Sequence, residues 1–498
     1  MRTTDSPHRS LWRSAGGSAA ISYLKFEIAE PVSSKARDLA PRNGRKGVFR
    51  NLQLRMKEII KKFTPPFLIN WYHFGLAMLG SFLYSFPSKK IKVIGVTGTQ
   101  GKTTVVDLTK KILEEAGHKV ASLSSIKFKI REKEWINALK MTMPGRFGIQ
   151  RFLRKALDSG CRYAILEVTS EGILQHRQRF IDFDIAVFTN LSKEHIERHG
   201  SFENYKRAKG KLFKQVKKIH ILNLNDKNVD YFSQFLAEKK IGFAAGSERL
   251  ATGSRDFKII RAENCQEGTN GASFTVDDTK FNLKLFGKFN VYNALAAICV
   301  GLSQEINLET CKKALEKIKE IPGRMEVVIN DPFEVIVDYA HTPDSLIKVY
   351  ETLNYLKPKT LSSQISKKLG RTSQKPKLVC VIGSAGGGRD RWKRSEIGKI
   401  AARYCDEIII TNEDPYDENP NQILSEIKSG ISNIQYPISN IHEILDRRKA
   451  IKKALSLAKP NDTVIITGKG CEPWMCVAGG RKIPWDDRKI VREEFKNL

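Results

Sequence analysis

The sequence predicts an α/β fold in two successive units, a central P-loop-type domain with a mostly parallel sheet and a Rossmann-like α/β domain after it. Three observations lead there. From Ile91 onward, short β-branched runs alternate with amphipathic helical stretches, the pattern of parallel strands joined by crossover helices. The first of these runs feeds a glycine-rich turn and then a helix. Near Met325 the alternation starts again, in a chain of 498 residues that is too long for one ordinary core.

Residues 1–50 are rich in Ser, Arg and Gly, without periodicity and without an apolar core followed by a cleavage site, so they predict a basic, disordered tail. Residues 51–90 carry an apolar helix, Phe67–Pro87, between Lys61-Lys62 and Lys89-Lys90. Its length just reaches that of a bilayer span. Asn70, His73, two glycines and the immediate start of a strand favour a helix packed on the next domain, with peripheral membrane contact as the second expectation. The first unit, 91–324, has strands at Ile91–Val96, Tyr163–Val168, Ile185–Thr189 and His220–Asn223. The second, 325–498, has them at Glu334–Val337, Lys377–Ile382, Glu407–Thr411 and Thr463–Thr467, with the polar stretch Thr360–Lys375 as a surface insertion.

A formal charge of +31 points to acidic partners: nucleotides, phosphorylated carriers, nucleic acid or an anionic membrane. Residues 1–90 hold 16 Lys and Arg against 5 Asp and Glu, but no compact basic arm stands out, so nucleic acid is not expected. The eight cysteines contain no Cys-x-x-Cys pair, which argues against a zinc site or a disulfide framework and suits a reducing cytoplasm.

The strand Ile91–Val96 enters Thr97-Gly98-Thr99-Gln100-Gly101-Lys102-Thr103-Thr104 and then the helix Val105–Ala116. Such a turn aims backbone N–H groups and a helix N-terminus at an anion. Lys102 is placed for the β- and γ-phosphates and the Thr103 hydroxyl for Mg²⁺. Val96 stands where the ordinary Walker pattern has its first glycine.

Glu167 closes the strand Tyr163–Val168, at the end of a sheet strand where ligand-binding residues sit. Downstream come Asn190-Leu191-Ser192-Lys193-Glu194-His195 and Tyr205-Lys206-Arg207-Ala208-Lys209. Singly, each reads as an ordinary core or surface residue. Together, the segments TGTQGKTT, TMP, EVTS, TNLSKEH, YKRAK, GKFNVYNALAA, PGRME, DYAHTPDSL, GGGRDRWKR, EDP and TGKGCE, in that order over about residues 91–498, resemble the Mur ligases. Among them they are most similar to the branch that adds the third residue of the peptidoglycan stem peptide.

That resemblance implies an ATP-dependent carboxylate–amine ligase working through an acyl phosphate. Its catalytic residues would be Lys102, Glu167, His195 and Lys209. Two Mg²⁺ ions would be held by Thr103, Glu167, His195 and Lys209, the last as a carbamate formed with CO₂. ATP contacts are implied for Gly98, Thr99, Gly101, Lys102, Thr103 and Thr104, for Asn290 and Asn293 near the adenine, for Arg324 at the junction of the two units, and for Asp338 and His341 from the second unit. Substrate contacts are implied for Thr142, Pro144, Ser170, Gln175 and Arg177, and for Arg389, Asp414, Tyr416, Gly468 and Glu472.

The chain departs from the pattern in several places. Residues 1–90 do not read as the separate α/β domain that grips a uridine nucleotide. Thr169-Ser170-Glu171 stands where the family has Ser-Ser-His, Glu194 replaces an aspartate and Cys471 a histidine. Glu413-Asp414-Pro415-Tyr416 stands where the diaminopimelate-adding enzymes have Asp-Asn-Pro-Arg. Tyr416 cannot supply that arginine's charge, so lysine or a similar diamine is expected, with Arg389 for its carboxylate and Asp414 and Glu472 for an amine. The alternative is that Arg391 or Arg394 takes over and diaminopimelate is still used.

The expected reaction adds that amino acid to UDP-N-acetylmuramoyl-L-alanyl-D-glutamate in the cytoplasm, by a monomer whose partners are the UDP-linked muropeptide and the free amino acid. The alternatives are a relative acting on another carboxylate, such as a folate or a poly-amino acid, and a non-catalytic nucleotide-dependent binder. Intact Lys102, Glu167, His195 and Lys209 argue against the binder.

Overall fold

The computed structural model describes residues 65–139, 141–246, 257–356, 376–432, 437 and 440–498. The basic tail 1–50, the first part of the 51–90 segment and the Thr360–Lys375 insertion lie outside the described residues. The description opens on helix α1 (Pro66–Leu83).

The first sheet has eleven strands in the order β11-β10-β9-β8-β7-β6-β1-β5-β2-β3-β4. They are β1 (Lys92–Thr97), β2 (Val120–Leu123), β3 (Lys127–Ile130), β4 (Lys133–Ile136), β5 (Tyr163–Glu167), β6 (Ile185–Phe188), β7 (Ile219–Asn223), β8 (Lys239–Ala245), β9 (Lys258–Gly268), β10 (Gly271–Val276) and β11 (Thr279–Leu283). From β9 to β2 the neighbours are parallel, and antiparallel strands extend both edges. The parallel strands are covered on both faces and so read as continuous apolar runs. All five residues of β5 are buried, for example. The edge strands alternate instead, as in β10, and their frequent Lys and Glu hid them from a search for apolar runs.

The helices of this unit are α2 (Lys102–Glu115), α3 (Arg146–Asp158), α4 (Ser170–Leu174), α5 (Ile196–His199), α6 (Phe202–Gln215), α7 (Val229–Ser233), α8 (Lys288–Ser303) and α9 (Leu308–Glu316). Alternate side chains of β1 divide between two cores, as strand periodicity requires. Ile94 and Val96 pack with residues of α2, α8 and α9, whereas Val93 packs with residues of α3 and α6. Helix α2 starts three residues before the expected Val105, because the glycine-rich turn leads straight into its first turn at Lys102. Strand β1 pairs in parallel with β5 on one side and β6 on the other, so the direction of winding reverses there and a ligand crevice opens beyond their carboxyl ends.

The second sheet has six strands in the order β12-β13-β17-β14-β15-β16. These are β12 (Glu326–Ile329), β13 (Glu334–Val337), β14 (Leu378–Ile382), β15 (Glu407–Ile410), β16 (Ile441–Glu443) and β17 (Thr463–Ile466), parallel except for the edge strand β12. Helices α10 (Pro343–Leu356), α11 (Lys393–Tyr404) and α12 (Pro420–Ser432) contribute to the core on one face, and α13 (Arg447–Leu457) and α14 (Asp487–Phe495) to that on the other. A hairpin of β18 (Trp474–Val477) and β19 (Arg481–Pro484) precedes α14. One expectation fails here. Cys380 on β14 and Cys405 just after α11 are joined by a disulfide across 25 residues of sequence, a pairing made by the fold rather than by any spacing motif.

The last helix is tied down by a buried ion pair. Arg447, at the start of α13, donates from Nε and Nη2 to the two oxygens of Asp487, at 2.9 and 2.7 Å, and from Nη2 to the Thr467 carbonyl at 2.8 Å. Both side chains are fully buried. Asp487→Ala leaves that guanidinium buried without its counter-charge and should cost about 3–5 kcal/mol. Urea unfolding of the purified protein measures this; a loss under about 1 kcal/mol contradicts the assignment.

Candidate active site

A cavity of ≈ 690 Å³ lies between the two units. One wall comes from residues after the carboxyl ends of β1, β5 and β6, the other from residues after β13, β14 and β15. Both sheets therefore present their ligand-binding ends to the same space.

The glycine-rich loop is held from behind. Thr99 N–H donates to the Asn190 carbonyl and Gln100 N–H to the Asn190 side-chain oxygen, both at 2.9 Å. The Thr189 hydroxyl returns a bond of 2.6 Å to the Gln100 carbonyl. Lys102 Nζ donates to the Thr99 carbonyl at 2.7 Å, folded back over its own loop. Gly101, at the N-cap of α2, has φ 79°, and a Cβ there would lie 2.3 Å from Asn293 Oδ1. Asn293 in turn donates to Asn290 Oδ1 at 2.9 Å, and Asn290 donates to the Phe286 carbonyl at 2.7 Å. The N-cap of α8 is Gly287, so Asn290 does not cap the helix and faces the cavity instead.

Glu167 is 2% exposed and fully engaged. It accepts from the Thr103 hydroxyl at 2.9 Å and from both the N–H and the hydroxyl of Ser125, at 2.9 and 3.0 Å. Ser125 Oγ also lies 2.7 Å from the Thr142 hydroxyl, linking Glu167 to another residue of the cavity lining. His195 has φ 57°, with Nδ1 3.8 Å from Glu171 and Nε2 3.7 Å from Glu194. Burial lowers its pKa, so the imidazole is neutral at physiological pH and keeps a lone pair.

Lys209 stands behind the loop. Its Nζ donates to the Gly98 carbonyl at 2.6 Å and lies 4.6 Å from the centre of the Tyr205 ring. Burial, reinforced by the nearby Lys102 charge, pushes the amine far below the usual lysine range.

The second unit reaches across. Gln100 Nε2 donates to the Thr342 hydroxyl at 3.0 Å and His341 Nε2 lies 3.3 Å from Glu194, while at the junction of the two units Arg324 Nη2 lies 3.4 Å from Thr103 Oγ1. Asp338 accepts from Met325 and Ala340 N–H at 2.7 and 2.6 Å, which fixes the strand end that carries His341. Glu197 N–H donates to Asp390 at 3.0 Å, and Arg391 N–H returns a bond of 2.6 Å to Glu197.

All of the sequence-predicted residues line the cavity except Gly98, Pro144, Ser170, Lys209 and Gly468, which stand behind its wall. Ser170, for instance, is buried against His199 Nε2 at 3.1 Å. Asp414 and Glu472, expected to await an amine, are already met by one: Lys469 Nζ lies 2.9 and 2.6 Å from them. Ser125 and Lys469 were missed as site residues, because a loop serine and a lysine among glycines have no distinguishing spacing. Among the described residues, no group of three His, Cys, Asp or Glu side chains gathers as a metal cluster. Glu167 with the Thr103 hydroxyl is an oxygen donor set that suits Mg²⁺ completed by phosphate and water.

Residues 96–301 match the Mur ligase middle domain and residues 323–470 the Mur ligase glutamate ligase domain. A UDP-N-acetylmuramoyl-L-alanyl-D-glutamate–2,6-diaminopimelate ligase of Caldanaerobacter subterraneus subsp. tengcongensis is 36% identical over 424 residues, 84% of this chain and 81% of that protein. A UDP-N-acetylmuramyl-tripeptide synthetase of Roseiflexus sp. is 34% identical over 444 residues, 85% of this chain and 82% of that protein. Among solved structures, a UDP-N-acetylmuramoyl-L-alanyl-D-glutamate–2,6-diaminopimelate ligase superposes with a TM-score of 0.53 at 29% identity, covering 82% of this chain and 78% of that one.

Gly101→Ala should weaken ADP binding by about tenfold or more, because the methyl group must displace Asn293 and strain the loop. Calorimetric titration with ADP measures it; unchanged affinity in a folded variant contradicts this reading of the loop.

Proposed function

We propose that this chain, which belongs to the Mur ligase family, uses ATP to join an amino acid to the free carboxylate of UDP-N-acetylmuramoyl-L-alanyl-D-glutamate in peptidoglycan synthesis. Members of the family are ATP-dependent, ADP-forming amide ligases, and this chain is one. The observation that carries the specific reading is the shared cavity, with the glycine-rich loop and Glu167 on one wall and Arg389, Tyr416 and Glu472 on the other. In this reading residues 91–324 hold ATP and the acceptor, and residues 325–498 cover them and bring the amine. ATP and a nucleotide-linked acceptor place the reaction in the cytoplasm.

The acceptor carboxylate oxygen attacks the γ-phosphorus, the bond to the β-phosphate oxygen breaks, and an acyl phosphate and ADP result. The amine then attacks the acyl carbon, phosphate leaves and the amine loses a proton. Lys102 is placed to meet the charge on the transferred phosphoryl group, and Arg324, at the junction of the two units, lines the same cavity. Bound at Thr103, Glu167, His195 and a carbamylated Lys209, Mg²⁺ would neutralise phosphate charge during the attack. The Gln100–Thr342 and His341–Glu194 contacts keep the two walls together and limit water in the site.

The Lys209 carbamate rests on an amine whose pKa burial lowers well below the usual lysine range, which favours the free base. Only the free base attacks CO₂: an N–C bond forms, one proton leaves and a neutral amine becomes an anion. Lys209→Ala should lose most ligase activity and recover part of it with added short carboxylic acids. Full activity without rescue contradicts the assignment.

The incoming amino acid is read as lysine or a similar diamine. Glu413-Asp414-Pro415-Tyr416 in place of Asp-Asn-Pro-Arg removes one cation and adds one anion at this wall. Of the arginines that could take over, Arg394 is fully buried between Glu418 and Glu426 at 2.9 and 2.7 Å, whereas Arg391 is exposed and lies 3.4 Å from Glu418, so diaminopimelate held by Arg391 is the competing outcome. Losing a charge-assisted bond is worth about 1.5–3 kcal/mol, enough to decide between similar substrates. Incubation with ATP, Mg²⁺, the UDP-muramoyl dipeptide, L-lysine and meso-diaminopimelate, followed by mass analysis, should yield chiefly the lysine product. A higher kcat/KM for diaminopimelate overturns the Tyr416 reading, and no product with any amino acid overturns the acceptor.

A further inference from the structure

Helix α1 contains no charged residue in its 18 positions. One face is fixed to the first unit. Gly80 lies against α3, where a Cβ would come 3.5 Å from Phe147 Cα, and the Phe74 ring stands 5.1 Å from that of Phe180. Asn70 and His73 join the same attachment, through His176 Nε2 at 2.6 Å and Arg146 Nη2 at 2.5 Å. Packing on the next domain is thus realised, by half of the helix.

The other half faces outward. Phe67, Trp71, Met78 and Phe82 follow one another at helical spacing, 61%, 68%, 50% and 70% exposed, and Tyr72 and Leu83 widen the stripe. A continuous apolar stripe of this size is unusual on a soluble surface and marks a contact. Lys89 and Lys90, both exposed, stand beyond its carboxyl end, and the sequence puts Lys61-Lys62 before its amino end.

We propose that this face docks on the surface of a bilayer carrying anionic headgroups. The charge decides the occupant. Residues 1–90 carry a net +11, which draws the helix to an anionic surface and sets two copies of the chain against each other face to face. An apolar stripe with Trp and Tyr, bracketed by lysines, is the composition of a helix lying in the interface. No described helix is long and apolar enough to cross a membrane, so the contact is peripheral. Docking also has a direction. Through Asn70 the helix touches His176, which sits between the cavity-lining Gln175 and Arg177, so the acceptor end of the site is held near the bilayer.

Flotation of the full chain with vesicles of phosphatidylcholine, with and without phosphatidylglycerol, tests this. The wild-type chain should float with the anionic vesicles, and the double variant Trp71→Glu, Phe82→Glu should partition at least about tenfold less. The milder pair Trp71→Ala, Phe82→Ala should fall between. Unchanged Tm and ADP binding in the variants show that the fold is intact. Equal flotation of wild type and variants assigns adsorption to the basic segment alone and overturns the proposal. So does a wild-type dimer in light scattering that the substitutions make monomeric, or a wild-type chain that stays with neither vesicle.

Discussion

A buried charge must be paired, and the site is organised around that constraint at Glu167. The strand that carries it is covered on both faces, which places its terminal carboxylate in a region of low dielectric. Thr103 and Ser125 satisfy its oxygens, and in doing so they fix the first turn of α2 and the loop after β2. Lys209 meets the same constraint differently. Its Nζ donates to the Gly98 carbonyl, and burial lowers the amine's pKa well below the usual lysine range. Two groups in contact with one glycine-rich loop or the helix it opens are thus held in different ways, one by three hydrogen bonds and the other by a single backbone carbonyl.

The second unit depends on the same wall. Arg324 approaches Thr103, the hydroxyl that Glu167 already orients, and His341 approaches Glu194, next to His195. Contacts between the units therefore fall on residues proposed to handle phosphate, so a large apolar interface is not needed to couple them in that reading. The reciprocal bonds between Glu197 and the Asp390-Arg391 segment extend this to the loop that bears Arg389. A ligand spanning the cavity adds contacts to both walls at once.

Much of this was legible in the sequence where it is local. The run from β1 through Gly98 and Gly101 into α2 is one continuous stretch whose turn and helix start are set by nearest neighbours, and Glu167 announces itself as a carboxylate ending an apolar run. What escaped is non-local. Ser125 becomes significant only because β2 lies beside β5, and Lys469 only because β17 brings it under Asp414. The Cys380–Cys405 disulfide joins a strand to the end of the next helix, a proximity that no cysteine spacing encodes. The exposed stripe of α1 was visible as hydrophobicity, but which half of the helix it occupied depended on packing against α3.

The departures from the family pattern are linked through charge rather than scattered. Glu171, where the family carries a histidine, lies 3.7 Å from Arg389, 3.4 Å from Arg198 and 3.8 Å from His195. It gives Arg389 an anionic neighbour in the absence of a substrate carboxylate, and raises the guanidinium pKa against the effect of burial. A carboxylate arriving at Arg389 must then compete with Glu171. On the other side of the same space, Tyr416 removes a cation and Asp414 adds an anion, and Lys469 is one ammonium shared between two carboxylates. In the proposed reading Arg389 would meet an amino acid's α-carboxylate, and Lys393 on the same cavity already lies near Glu413. A ligand with a single carboxylate and a second positive group would suit the carboxylates beyond Arg389.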